Sequence, residues 1–172
     1  MKRHLKYLSY VIRHKWFVFL ACLKLDVPIW RAIIHDWHKF LPCEWFAYAY
    51  TFYEKDGSKK KYEENQSFEM AWNHHQKLGK HHWQYWLLTW DRGETKAIDM
   101  PSTYIREMIA DWWGAGRAIT GNWDANTWYD KNKEKMNLSP VTRRLTELWL
   151  KQSENQFETP ALIAKRKQIL GY

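Results

Sequence analysis

Cysteine is scarce in this chain: two in 172 residues, Cys22 and Cys43, with no framework spacing. That excludes a disulfide scaffold and predicts a reducing, cytoplasmic compartment. Proline and glycine are also few, five and seven, and they sit where helices should end. Long apolar runs are missing. The segment Trp16–Leu23 holds eight residues between Lys15 and Lys24, far short of the about 20 that span a bilayer. A basic start followed by an apolar run has the form of a secretory leader, but no small-residue cleavage site follows, so the segment reads as a buried helix. No membrane partner is expected. Alternating strand-like runs, internal repeats and low-complexity tracts are absent too.

Tryptophan is abundant, 13 residues, and hydrophobic content is 45%. This predicts a stiff, aromatic core holding most of the indole rings. Net charge is +8, which favours anionic partners such as phosphates, nucleotides, nucleic acid or anionic lipid, against the plainer reading of a basic solvated surface.

Apolar residues recur at helical spacing along most of the chain. A first helix covers roughly 3–25. Pro28 opens a second, which carries Ile33, Ile34 and Phe40 and stops before Pro42. A third covers about 44–53, and 54–67 is a polar connection, a mobile loop or lid. A fourth runs from Ser67 to Leu78 with Gly79 as its stop. A fifth starts at His81 and carries Trp83, Trp86, Leu87 and Trp90. Ser102 caps a helix bearing Ile105, Met108, Ile109 and Trp112, and "TGNWDAN" is a turn. Ser139-Pro140 opens a helix to about Leu150, and a last helix covers 160–170. The expected fold is all-α, a single domain over 1–172 built as a bundle of about six to eight helices.

Eight histidines stand out: His4, His14, His35, His38, His74, His75, His81 and His82. One histidine beside apolar residues is usually a satisfied core residue. Burying several with carboxylates is costly unless a cation pairs them. His14 follows Tyr7 and Val11 on one face. His35 and Asp36 diverge by about 100° on a helix, and Lys39 lies on the same side as both. His75 continues the stripe of Phe68, Ala71 and Trp72, and His82 begins that of Trp83 and Trp86. We therefore take His75 and His82 as ligands and His74 and His81 as their supports. Asp111 follows Tyr104 and Met108 between tryptophans. Histidine plus carboxylate suits divalent Mn, Fe, Co, Ni or Zn, as one or two ions, and the lack of cysteine argues against a structural zinc site.

These residues, in this order, resemble the HD superfamily of metal-dependent phosphohydrolases. "HDWHKF" is similar to that family's "HDIGK" form, "HHQKLGKHH" to the His-rich block of its cyclic-dinucleotide phosphodiesterase branch, and "IADWWGAGR" to the segment around its last aspartate. His38 replaces the glycine of "HDIGK", and the Gly-Tyr-Pro after the His-rich block is missing. The chain is more similar still to a short, uncharacterised family of bacterial and phage proteins, over roughly 4–150, which implies no activity.

The HD resemblance implies an HD-domain-like fold and metal-dependent phosphoester hydrolysis. His14, His35, Asp36 and Asp111 would hold one ion, and His75 and His82 would hold a second or orient substrate. Asp36 and Lys39 would act in catalysis. Lys39, Arg106 and Arg117 would bind the phosphate of a small substrate, for which a nucleotide is the leading class. Trp37 or Trp112 could stack on a base, though core packing is the commoner role. Arg143 and Arg144 read as basic exterior. Two rivals stand beside this reading: an HD-type di-iron oxygenase, and a non-catalytic binder of nucleic acid or a partner protein with a metal serving stability.

Overall fold

Tyr7, Val11, His14 and Val18 recur every three or four residues, with no proline before Pro28, and the segment folds as α1 (Lys2–Lys24). The computed structural model describes residues 1–157 together with Ala164 and Gln168, so most of the expected helix at 160–170 lies outside the described residues. The described chain is all-α apart from one small hairpin.

The second helix departs from expectation. α2 (Ile29–Ile34) ends after six residues. His35 turns extended, and Asp36 takes a left-handed conformation with φ 53° and ψ 29°. A 3₁₀ turn, Trp37–Phe40, then leads into α3 (Pro42–Phe52), which has Pro42 at its first position. Aspartate is among the few non-glycine residues that visit this conformation readily. Ile33, Ile34 and Phe40 lie outward, 60%, 49% and 45% exposed.

α4 (Gln66–Leu78) starts where the Asn65 carboxamide accepts the Phe68 amide at 2.9 Å, and it ends at Gly79. The helix expected from His81 is not formed. A 3₁₀ turn, Trp83–Trp86, runs into an antiparallel pair, β1 (Leu87–Thr89) and β2 (Thr95–Ala97), with Leu88 opposite Lys96. Gly93, at φ 89°, supplies the turn between them. The spacing of Trp83, Trp86 and Trp90 mimics a helix, yet Trp90 is largely exposed.

α5 (Ser102–Thr120) begins one residue earlier than a Ser102 cap implies, with Pro101 in that role. It packs directly on α1. A Cβ at Gly114 would lie 2.5 Å from the Val18 amide nitrogen, so only glycine allows this approach, which seats Asp111 beside His14. α6 (Ala125–Asn132) forms where no helix was expected, capped by Asp124 through the Thr127 amide. α7 (Pro140–Phe157) opens as expected, the Ser139 hydroxyl accepting the Thr142 amide at 3.1 Å, and continues past Leu150.

Two apolar clusters result. One joins Val18, Cys22, Ile105, Met108, Ile109 and Trp113; the other joins Tyr7, Val11, Tyr48, Tyr53 and Ala71. His14 sits on α1 between them. Trp113 is the one indole that is fully buried, and Trp16, Trp30, Trp37, Trp90 and Trp128 are exposed. The expected burial of most tryptophans is thus corrected: the rings are large enough to line both clusters while keeping an edge in solvent. Both cysteines are free, and no helix among the described residues is long and apolar enough to cross a membrane.

Candidate metal centre

Five segments deliver ligand groups to one place between the clusters. α1 gives His14, the break after α2 gives His35 and Asp36, and α4 gives His75. The turn after Gly79 gives His81 and His82, and α5 gives Asp111. The side chains of His14, His35, Asp36, His75 and His81 are buried.

Asp36 organises the cluster, its two oxygens facing different sets of nitrogens. Oδ2 lies 3.1 Å from His14 Nε2 and 3.5 Å from His35 Nε2; Oδ1 of Asp111 lies 3.3 and 3.4 Å from the same two nitrogens. Asp36 Oδ1 lies 3.4 Å from His81 Nε2 and 3.7 Å from His75 Nε2. Two groups of donors follow, His14–His35–Asp36–Asp111 and Asp36–His75–His81–His82, each with its ligand atoms within 4.8 Å of one another. Each could hold a metal ion.

The donor atoms fit such an ion. His35 Nε2, Asp36 Oδ1, His81 Nε2, His82 Nε2 and Asp111 Oδ1 are buried and have no hydrogen-bond partner among the described residues. An unsatisfied buried group costs about 1–3 kcal/mol, and cations seated in the two donor groups would satisfy all five. Two outward nitrogens, by contrast, are held. His35 Nδ1 lies 3.2 Å from Glu107 Oε1, and His75 Nδ1 lies 3.0 Å from Glu44 Oε2. A carboxylate behind a ligating imidazole fixes its tautomer and raises its basicity. Arg31 braces Glu107, its Nε donating at 2.9 Å. Glu44 also faces His38 and His74.

Electrostatics divide the two groups. Burial pushes the His81 and His82 imidazoles far down, and it lowers His14 and His75 as well. In all four, burial favours the neutral form, which has a lone pair to offer. Burial also pulls on His35, but Asp36, Asp111 and Glu107 outweigh it and lift that imidazole to about 10. Burial works against ionisation of Asp36 and Asp111 too. His35, Lys39 and His75 around Asp36, and His35 and His14 around Asp111, hold both carboxyls below the usual range.

Of the residues expected from sequence, His14, His35, Asp36, His75, His82 and Asp111 converge. Lys39 joins them, its ammonium bonded to Asp36 Oδ2 and 3.3 Å from His75 Nε2. His74 faces Glu44 from a partly exposed position, in keeping with a supporting role. His81 does not: expected as a support, it stands closer to Asp36 than His75 does. On a helix only one of two neighbours can point inward, but in the turn His81 and His82 lie with ring centroids 4.1 Å apart and both reach the cluster.

Arg106 and Arg117, expected to bind phosphate, are engaged elsewhere. Arg106 donates to the carbonyls of Leu25 and Asp26 at the end of α1, and Arg117 lies over Phe17. Neither contacts the cluster. Glu44 and Glu107 were missed. Glu107 stands four residues before Asp111 on an otherwise apolar face, a readable signal; Glu44 had none beyond its nearness to His38.

The chain belongs to a family of unknown function (DUF5662), whose model matches residues 3–152. No curated protein and no solved structure matches it.

Proposed function

We propose that this chain is a metal-dependent phosphohydrolase of HD type, holding two divalent transition-metal ions and acting on a small phosphoester. One observation carries the reading: the carboxylate of Asp36 stands between two four-membered donor sets, one oxygen toward each. A bridging carboxylate of this kind suits a two-ion centre for in-line displacement at phosphorus.

His14, His35, Asp36 and Asp111 would hold one ion, and Asp36, His75, His81 and His82 the other. When bound, the ions supply an acidified water as nucleophile and positive charge that offsets the phosphoryl oxygens. The chain does the rest. Glu107 and Glu44 fix the inward tautomers of His35 and His75. Lys39, buried, with its ammonium stabilised beside Asp36, provides a point charge for a phosphoryl oxygen. Asp111, at the solvent-facing side of the cluster, marks where substrate enters.

Elemental analysis of the purified protein, followed by a phosphoester screen with each candidate metal, tests this. Two ions per chain and turnover are expected, and Asp36→Asn should lose both ions and all activity. A fully metallated, active Asp36→Asn protein overturns the proposal. So do two irons with visible absorption and no phosphatase activity, the signature of an oxygenase.

A further inference from the structure

A cavity of about 570 Å³ opens directly on the metal centre through His82 and Asp111. A larger one, about 790 Å³, lies against α3 and α4 and meets the cluster only through His74. The smaller cavity is the one whose walls carry chemistry.

Its two ends differ. Gly116 of α5 lies beside Asp124 at the start of α6, since a Cβ there would stand 3.7 Å from the Asp124 amide nitrogen. One turn earlier on α5, Trp112 meets Trp128 of α6 with centroids 5.1 Å apart. The two helices therefore pass in opposite directions, and the next turn of α6 brings Lys131 back toward the level of Asp111. Lys131 lines the cavity, as does Lys135. One end thus gathers the metal ligands and two ammonium groups. The rest of the lining is aromatic and small: Trp112 and Trp128, their rings tilted 49° to one another, with Ala115, Gly116 and Trp83, while Trp72 stands against His82 at the ionic end. Gln84 lines the same cavity, and its buried side-chain oxygen has no hydrogen-bond partner among the described residues.

We propose that this cavity binds a nucleoside phosphate. The base stacks on the exposed ring of Trp128, the Gln84 carbonyl accepts from an exocyclic amino group, and the phosphate lies at the ionic end beside Lys131 and the candidate metal centre. Only the placing of the phosphate at a reactive centre rests on the phosphohydrolase reading; the seat for the base stands on the cavity alone. Aromatic faces stack any base, so the edge contact from Gln84 sets the preference, toward adenine or cytosine over uracil. These lysines replace Arg106 and Arg117 as the cations that meet substrate.

Calorimetric titration of the metal-stripped full chain with adenosine 5′-monophosphate, adenosine and ribose 5-phosphate tests this without turnover. The nucleotide should bind about tenfold or more tighter than ribose 5-phosphate, the scale of one base stacked on an aromatic ring. Trp128→Ala removes an exposed ring, so the fold stands, and it should erase that advantage while leaving ribose 5-phosphate binding unchanged. Lys131→Glu should weaken the nucleotide but not adenosine. Equal binding of nucleotide and ribose 5-phosphate by the unaltered chain overturns the proposal, as does a Trp128→Ala protein that keeps the preference. A base preference lost in Trp128→Ala, in a protein that takes up no metal and hydrolyses nothing, upholds the cavity and refutes the phosphohydrolase reading, so the two fail separately.

Discussion

The two halves of the candidate metal centre share Asp36 and meet again where His35 and His81 both face Glu107, yet they are built differently. The half of His14, His35 and Asp111 takes His14 and Asp111 from α1 and α5, two long helices locked together where Gly114 meets the Val18 backbone, and His35 from the break after α2. It carries two carboxylates and one imidazole lifted by its neighbours. The half of His75, His81 and His82 takes two of its three imidazoles from a turn, and all three are pushed toward the neutral form by burial. The first half is anionic and set on rigid elements; the second is neutral and set on a shorter support. Hard divalent ions favour the first, and nitrogen-preferring ions such as Zn or Ni the second.

The largest test of that contrast removes one ligand from each half. Asp111→Asn should cost the first half more than about 100-fold in metal affinity, beyond the 10–100-fold typical of a lost supporting group, while the second half still binds. His82→Ala should do the reverse. Metal titration of both variants, read as ions per chain, checks this. If either variant loses both ions together, the halves are one cooperative site and the contrast fails.

Proton competition sharpens it next. A metal ligand must give up its proton to bind. His35 holds a proton up to about 10, so ion uptake by the first half must displace it. Affinity there should rise with pH between 7 and about 10, by roughly tenfold per unit while one proton is released, and level off above. The second half, already proton-free at pH 7, should be flat over the same window. Proton release on metal addition, measured in two buffers of different ionisation enthalpy, separates the two. A flat profile for both halves, or release confined to His82-dependent uptake, contradicts the assignment.

What could be read beforehand follows the same divide. The helical half was legible: His14, Asp111 and the caps at Gly79 and Ser139 follow from a period of 3.6 residues and short polar side chains, which are local physics. The break at Asp36 was not, because a left-handed aspartate is held there by partners from α1, α4 and the turn after Gly79 that no local window contains. The turn holding His81 and His82 was missed for a related reason. Its tryptophans repeat at helical spacing, but the following Leu-Leu-Thr pairs with a strand eight residues on, and long-range pairing overrides a short pattern. Arg106 misled as well: a cation two turns from a ligand seemed aimed at substrate, whereas the free carbonyls ending α1 claim it.

The smallest test concerns what stands behind the imidazoles. Glu44 is fully buried and faces the Nδ1 atoms of His38, His74 and His75 at 2.7–3.0 Å. Its two oxygens offer enough acceptor sites for all three, and only the ionised form does so. Burial opposes that form, but the bonds from His38 and His75 overcome it and hold the carboxyl below its usual range. Glu44→Gln keeps the shape and replaces one acceptor with an amide donor aimed at an N–H. His75 then loses the anchor that points its Nε2 toward Asp36. The second half should bind metal about 10–100-fold more weakly, with the first half unchanged, because its own brace is Glu107 backed by Arg31. Separate titration of the two ions in Glu44→Gln reads this directly. A loss shared equally by both halves would show that the anchors act through Asp36, and the two supports would then be one.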